Sequence, residues 1–512
     1  MSLGRTRGVA LLGLDGALVD VEADLVQGLP KVVFSGLPDA ACRQAPDRIK
    51  AAAENSGVPI PNRRLTVNLS PASIPKVGSG WDLPIAIAVL AASSVFRAGV
   101  VDDIVHVGEL GLDGSIRPVH GVLPVVLSAV RLGMRQIVVP AGNAAEAALV
   151  PGIQVVPASH LRELVSRYRA IGRGEQPQHV LVEPAAAPRD VVVPDLREVV
   201  GQDEGRLALE IAAAGGHHLF MSGPPGAGKT MLAERLPSLL PDLEPTQALE
   251  VTAIHSVLGA LPKSGALIVR PPFVAPHHGA SMPAIVGGGS GFIRPGAISK
   301  AHRGVLFLDE APEFKPGVLQ ALRQPVESGE VVVARASGVV RYPARFQLVL
   351  AANPCPCGHG FGKGDNCSCS PRARRDYMGK LVGPLLDRVD LQLQVRAVSR
   401  AGLLAPVGES SAVVAARVAA ARSLQAERLA GTSWRLNGEV PGPMMRAGFL
   451  KLPAAATVDL ERALERGVLT LRGYDRVLKV AWTMTDLAGG GTPDRDDVGV
   501  ALTLRSRSAV AA

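Results

Sequence analysis

Gly223, Pro224, Pro225, Gly226, Ala227, Gly228, Lys229 and Thr230 spell Gly-x-x-x-x-Gly-Lys-Thr, a pattern whose chemistry is phosphate binding. Glycines let successive backbone N–H groups turn toward phosphate oxygens, the lysine neutralises β/γ charge, and the threonine hydroxyl is a ligand for Mg²⁺. His218-Leu-Phe-Met-Ser222 before it reads as a strand and Met231-Leu-Ala-Glu234 after it as a helix, the context such a cradle requires. The apolar run Gly304-Val-Leu-Phe-Leu308 ends in Asp309 and Glu310. There Asp309 is expected to hold Mg²⁺ through water and Glu310 to orient an attacking water. Phe346-Gln-Leu-Val-Leu-Ala-Ala352 is a third strand, ending at Asn353-Pro354. Asn353 can hydrogen-bond a γ-phosphate or the lytic water, although Asn-Pro also serves as a plain turn. The reaction this set supports is hydrolysis of a nucleoside triphosphate, with ATP and Mg²⁺ as the expected cofactors.

Phosphoryl transfer also needs a cation on the γ-phosphate, often an arginine from a neighbouring subunit. Arg388, in Leu385-Leu-Asp-Arg388-Val-Asp390, and Arg472, opening Arg472-Gly-Tyr-Asp-Arg476, are the candidates among 54 lysines and arginines. Most such residues are solvated surface charges, so neither stands out by itself. A separate cluster, Cys355, Cys357, Cys367 and Cys369, offers four thiols in one stretch, enough for a tetrahedral Zn²⁺ site. Cys-x-Cys pairs are tighter than the usual zinc spacing, and free thiols or disulfides remain the alternatives. Zinc is favoured because reduced thiols rarely crowd this densely without a soft metal. His359 reads as a loop residue rather than a ligand. His277 and His278, if adjacent on a strand, face opposite ways.

The elements that position these residues fall into regions of distinct texture. At 512 residues, 47% hydrophobic and 20% charged, the chain is globular and too long for one core. Residues 1–172 alternate short strands, such as Lys31-Val-Val-Phe34 and Arg64-Leu-Thr-Val-Asn68, with helical stretches. Residues 173–195 are rich in Pro, Gly and polar residues, a linker. Residues 196–395 alternate strands and helices as a doubly wound parallel sheet requires. Residues 396–512 are mostly helical, suited to a lid over the nucleotide. The longest apolar run, Leu83 to Val95, falls short of the roughly 20 residues of a membrane span, so a soluble, cytoplasmic protein is expected. The net charge of +8 mildly favours a polyanionic partner, whereas 3% aromatics leave few platforms for base stacking.

Several segments match more than a generic ATPase. Ala275-Pro-His-His278, Arg294-Pro-Gly-Ala-Ile-Ser299, Gly304 to Glu310, Asn353-Pro-Cys-Pro-Cys-Gly358 and Gly383 to Asp390 resemble the magnesium-chelatase-like AAA+ proteins, and among them the ComM/YifB family. Gly36-Leu-Pro-Asp39, Pro61 to Pro71, Pro75 to Pro84 and Gly108 to Gly114 extend the resemblance through the amino-terminal region. The implied fold is an AAA+ P-loop sheet with a helical lid plus an amino-terminal Lon-protease-like (S5-like) α/β domain. The implied function is a ring-forming, hexameric DNA helicase or branch-migration motor acting in homologous recombination of incoming DNA. A chelatase motor subunit or a protein-remodelling factor are the alternatives. By the same resemblance Asn353 is sensor 1, Arg388 a trans-acting arginine finger and Arg472 sensor 2, with Arg476 its substitute.

The resemblance also implies pore-lining segments at about 256–298 and from Glu330 to Tyr342. Lys263, Arg270, Arg335 and Arg341 are then candidate DNA-phosphate contacts. Where Lon-like proteases carry a Ser–Lys dyad this chain reads Ser79-Gly-Trp-Asp82, and Gly121-Val-Leu-Pro124 supplies no lysine. Peptidase activity is not expected, although Ser79 and Lys76 lie close in sequence.

Overall fold

The computed structural model describes residues 3–176, 182, 185, 193–262, 264–289, 292–335, 338–360, 367–381, 385–404 and 406–506. Lys263, most of the expected linker and residues 382–384 of the Gly383 motif lie outside them.

The amino-terminal region is built on a seven-stranded mixed sheet. Its strands are β1 (Leu3–Leu12), β2 (Asp15–Val26), β3 (Lys31–Ser35), β4 (Arg64–Ser70), β5 (Val105–His106), β6 (Gln136–Pro140) and β7 (Gln154–Ala158), in the order β3-β4-β2-β1-β5-β6-β7. In β2 the alternation is plain: Val19, Val21, Ala23 and Leu25 are buried while the residues between them reach outward. Helix α1 (Asp82–Ala92) is apolar on every side and buried along its whole length, packed on β1 and β2. A Cβ on Gly4 would come within 2.1 Å of the Ala88 carbonyl, so only glycine permits that approach.

The nucleotide region is a five-stranded sheet of β8 (Leu219–Ser222), β9 (Phe273–Val274), β10 (Val305–Leu308), β11 (Gln347–Ala352) and β12 (Leu391–Gln394). The order is β9-β10-β11-β8-β12 and every neighbouring pair is parallel. Both faces are covered, which is why β10 and β11 read as nearly continuous apolar runs. The order places β11 between the P-loop strand β8 and the acidic strand β10. The carboxyl ends of all three therefore open on one crevice, the place where such sheets bind ligands.

The expected insert at 256–298 is not one unit, because β9 from its middle joins the main sheet as an edge strand. An antiparallel hairpin, Glu330–Arg335 with Gly338–Pro343, precedes β11. Helix α2 (Val122–Arg131) of the amino-terminal region packs on α3 (Pro245–Val257) of the nucleotide region. The Gly121 N–H donates to the Ser256 carbonyl at 3.1 Å, and the Ser256 hydroxyl donates to the buried Glu146.

Helix α4 (Pro371–Gly379) follows β11 in the chain, and the carboxy-terminal helices α5 (Ser411–Arg428), α6 (Leu471–Leu487) and α7 (Arg495–Ser506) share one hydrophobic core with the P-loop strand. Between α5 and α7 the chain makes two longer helices: Ala454–Glu465 ends near Gly467, at φ 68°, and Thr470 caps α6. An ion pair of Arg428 with Asp486, 2.5 Å, ties α5 to α6 beneath this core.

Candidate active site

The cradle follows β8 directly. Gly226 (φ 73°) and Gly228 (φ 92°) adopt left-handed backbone that an L side chain resists. Gly223 is needed for another reason: a Cβ there would lie 2.1 Å from the Val395 carbonyl oxygen beyond β12. Lys229 opens the helix Lys229–Arg235, and its ammonium donates to the carbonyls of Gly223 (2.7 Å) and Pro224 (2.9 Å) and to Asn353 Oδ1 (3.1 Å). All three ammonium protons thus have acceptors, and the cation is held where phosphate charge would enter. Burial lowers the Lys229 pKa, with the charges of Asp309 and Glu310 opposing. Buried Gln202 braces the loop from below, donating to the carbonyls of Ala227 (3.0 Å) and Arg396 (2.7 Å).

At the end of β10 the Thr230 hydroxyl donates to Asp309 Oδ2 at 2.7 Å, and the Glu310 N–H donates to Asp309 Oδ1 at 2.9 Å. A hydroxyl and a carboxylate converging at that distance are hard oxygen donors suited to Mg²⁺. Consecutive strand residues point to opposite faces. Glu310 departs from that alternation by adopting φ 48°, a conformation that costs about 1–3 kcal/mol in a non-glycine residue. Its carboxylate lies 3.4 Å from His278 Nδ1. That contact corrects the expectation of two histidines on opposite strand faces. His277 and His278 lie beyond the end of β9, and their rings sit together, 4.1 Å between centroids. Tyr377 of α4 completes this side. Burial raises its phenol pKa, Glu313 and Glu310 add to the rise, and a backbone hydrogen bond at Asn353 opposes it.

Lys229, Thr230, Asp309, Glu310 and Asn353 are therefore brought together from three stretches of chain. The arginines are placed differently. Arg388 is buried and pairs with Glu327 at 2.8 Å, while Arg472 is exposed in the first turn of α6. Arg476 is tied to Asp390 at 2.9 Å. Burial works against the Asp390 charge, but Arg476 and then His217 outweigh it and hold the carboxyl well below the usual range. Arg476 is thus committed to an interior ion pair. The four sulfurs of Cys355, Cys357, Cys367 and Cys369 all lie within 4.8 Å of one another. In the amino-terminal region, Lys76 is fully buried with its ammonium on the Pro71 carbonyl, and the Ser79 hydroxyl donates to Glu109. Arg335 and Arg341 are exposed on the hairpin, Arg341 paired with Glu330 at 2.8 Å, and Arg270 is also exposed.

His278, Gln202 and Tyr377 escape sequence reasoning as members of this site. Only His278 lies in a quoted motif, and nothing local says that it meets Glu310.

Among the described residues no helix is long and apolar enough to cross a membrane. Residues 195–403 match the family model for magnesium chelatase, subunit ChlI. Residues 21–143 match that for subunit ChlI of Mg-chelatase, and residues 408–505 that for the subunit's carboxy-terminal part. The chain is 50% identical over 510 residues to an uncharacterized protein of Mycobacterium tuberculosis, covering 99% of this chain and 100% of the relative. It is 41% identical over 490 residues to YifB of Escherichia coli (95% and 94%). It is 40% identical over 492 residues to competence protein ComM of Haemophilus influenzae (96% and 94%). A P-loop sheet with this strand order, matched over nearly its full length in this way, belongs to the ComM/YifB family of magnesium-chelatase-like AAA+ ATPases.

Proposed function

We propose that this chain is the subunit of a ring-shaped, ATP-driven DNA motor of the helicase or branch-migration type, serving recombination of incoming DNA. One observation carries the reading: the hairpin bearing Arg335 and Arg341 is followed after three residues by β11, and the residue after β11 is Asn353, which accepts from Lys229. A load on the hairpin and a change at the γ-phosphate therefore act on the same strand. Arginines on such a hairpin suit backbone phosphates, which position a nucleic acid without reading its sequence. The relative named for competence agrees with a DNA substrate.

In this reading Lys229, Thr230 and Asp309 hold Mg-ATP, Glu310 orients water and Asn353 senses the γ-phosphate. Arg388 acts across the subunit interface of a hexamer, and Arg472 acts from the lid formed by 396–512. The amino-terminal domain, 1–172, joins the ATPase domain, 196–395, through the linker 173–195. The thiols of Cys355, Cys357, Cys367 and Cys369 hold Zn²⁺. Full-length protein is to be assayed for ATPase stimulation by a four-way DNA junction, by unfolded polypeptide and by a porphyrin with Mg²⁺. Stimulation by the junction supports the motor. Stimulation by polypeptide alone makes the chain a protein remodeller, and by porphyrin alone a chelatase subunit.

A further inference from the structure

The chain that leaves the site at Asn353 returns to it three times, and the cysteines sit at the centre of that path. Cys355, two residues beyond Asn353, is buried. The chain then turns at Gly358 (φ 80°), whose N–H donates to the Cys355 carbonyl at 3.0 Å. A Cβ on Gly358 would lie 2.6 Å from Pro225 Cγ, so this turn rests on the phosphate cradle itself. Beyond Cys369, whose carbonyl accepts from Arg374 Nε at 3.2 Å, Ser370 caps α4. That helix carries Tyr377 back to Asn353, and just past its end Lys380 donates to the Pro312 carbonyl at 2.8 Å, in the turn after Glu310. Residues 353–360 and 367–380 therefore touch the P-loop, the end of β11 and the turn beyond the acidic pair.

The sulfurs bring the two halves of this segment together: Cys355 Sγ lies 3.4 Å from Cys357 Sγ and 3.5 Å from Cys367 Sγ, and Cys357 and Cys367 are 3.6 Å apart. A tetrahedron of thiolates about 2.3 Å from a zinc ion has edges of about 3.8 Å, whereas a disulfide needs about 2.05 Å. The observed spacings lie near the edges of such a tetrahedron and far from a disulfide.

Resting on the zinc assignment made above, we infer that the ion is a buttress for the nucleotide site. By tying residues 355–357 to Cys367 and Cys369 it presses Gly358 against Pro225 and fixes Asn353 and α4, so zinc occupancy sets the affinity of the cradle for nucleotide. A site residue shifted by 1 Å can lose about 100-fold in function, and loss of an outer supporting contact about 10- to 100-fold.

The test uses full-length protein purified under reducing conditions. Metal is measured by mass spectrometry, cobalt exchange reports tetrahedral thiolate ligation, and affinity is followed with a fluorescent ATP analogue. The expected results are about one zinc per chain, at least roughly tenfold weaker analogue binding after chelation, and recovery on adding zinc back. Gly358→Ala, which leaves all four thiols in place, is expected to keep its zinc and still bind the analogue more weakly. Zinc near zero in the reduced wild type overturns both the assignment and the buttress. Stoichiometric zinc with affinity unchanged by chelation, or by Gly358→Ala, overturns the buttress and leaves the assignment standing. A zinc-loaded wild type that binds no ATP analogue refutes the nucleotide reading itself.

Discussion

Replacing Gly223 and Gly226 by alanine in turn separates two physical demands of the cradle. At Gly226 the backbone is left-handed but the space around a new Cβ is open, with nothing within 4 Å. Gly226→Ala therefore pays only the conformational cost, about 1–2 kcal/mol, which is about 5- to 30-fold if all of it opposes the binding-competent loop. Gly223 has no such backbone demand, yet its Cβ would sit 2.1 Å from the Val395 oxygen. Carbon–oxygen contact begins near about 3.3 Å, so the start of the loop must move by about 1 Å. Gly223 also supplies the carbonyl that Lys229 holds at 2.7 Å, so the displacement passes directly to the lysine. A shift of that size is worth about 100-fold. Titration of each variant with a fluorescent ATP analogue, beside a thermal melt, gives the comparison. Wild-type affinity in Gly223→Ala, or equal losses in the two variants, would refute the packing argument.

Glu310→Gln should keep nucleotide binding while turnover falls by about 10²- to 10⁴-fold, read by phosphate release; near-normal turnover removes the role given to Glu310. Mixing Arg388→Ala with Lys229→Ala subunits should partly restore hydrolysis, because one brings an intact cradle and the other an intact arginine. No recovery at any ratio contradicts action across an interface. Stability should also fall with acid. Burial depresses His106 to about 3 and His218 to about 4, against about 6.5 in an unfolded chain. Below about 6.5 the unfolded state takes up protons that these folded imidazoles refuse, so stability is full above that pH and is lost on the way down to 4. The loss is about 3 kcal/mol from His218 alone. Denaturant titrations that are flat from pH 6.5 to 4.5 count against this burial.

The parts of the site that sequence discloses are those written in one short stretch. The cradle and the acidic pair each follow a strand whose apolar run is visible, and parallel strands bring their carboxyl ends together without further instruction. Asn353 is legible on the same ground, although its partner Lys229 is 124 residues away. His278 is not, because it is aimed by β9, a strand of two residues that leaves no periodic trace inside an apparent insert. Gln202 and Tyr377 reach the site by tertiary packing of helices, as Arg476 reaches Asp390. The run Leu83 to Val95 reads only as too short for a membrane; that α1 is covered on every side depends on the sheet around it.

The central claim, that hydrolysis at this site drives movement along DNA, is met most directly by a fluorescently labelled four-way junction mixed with the full-length protein and Mg-ATP. The account predicts ATP-dependent separation of the junction arms by wild type and none by Glu310→Gln. An active ATPase that binds the junction yet leaves its arms paired would contradict it.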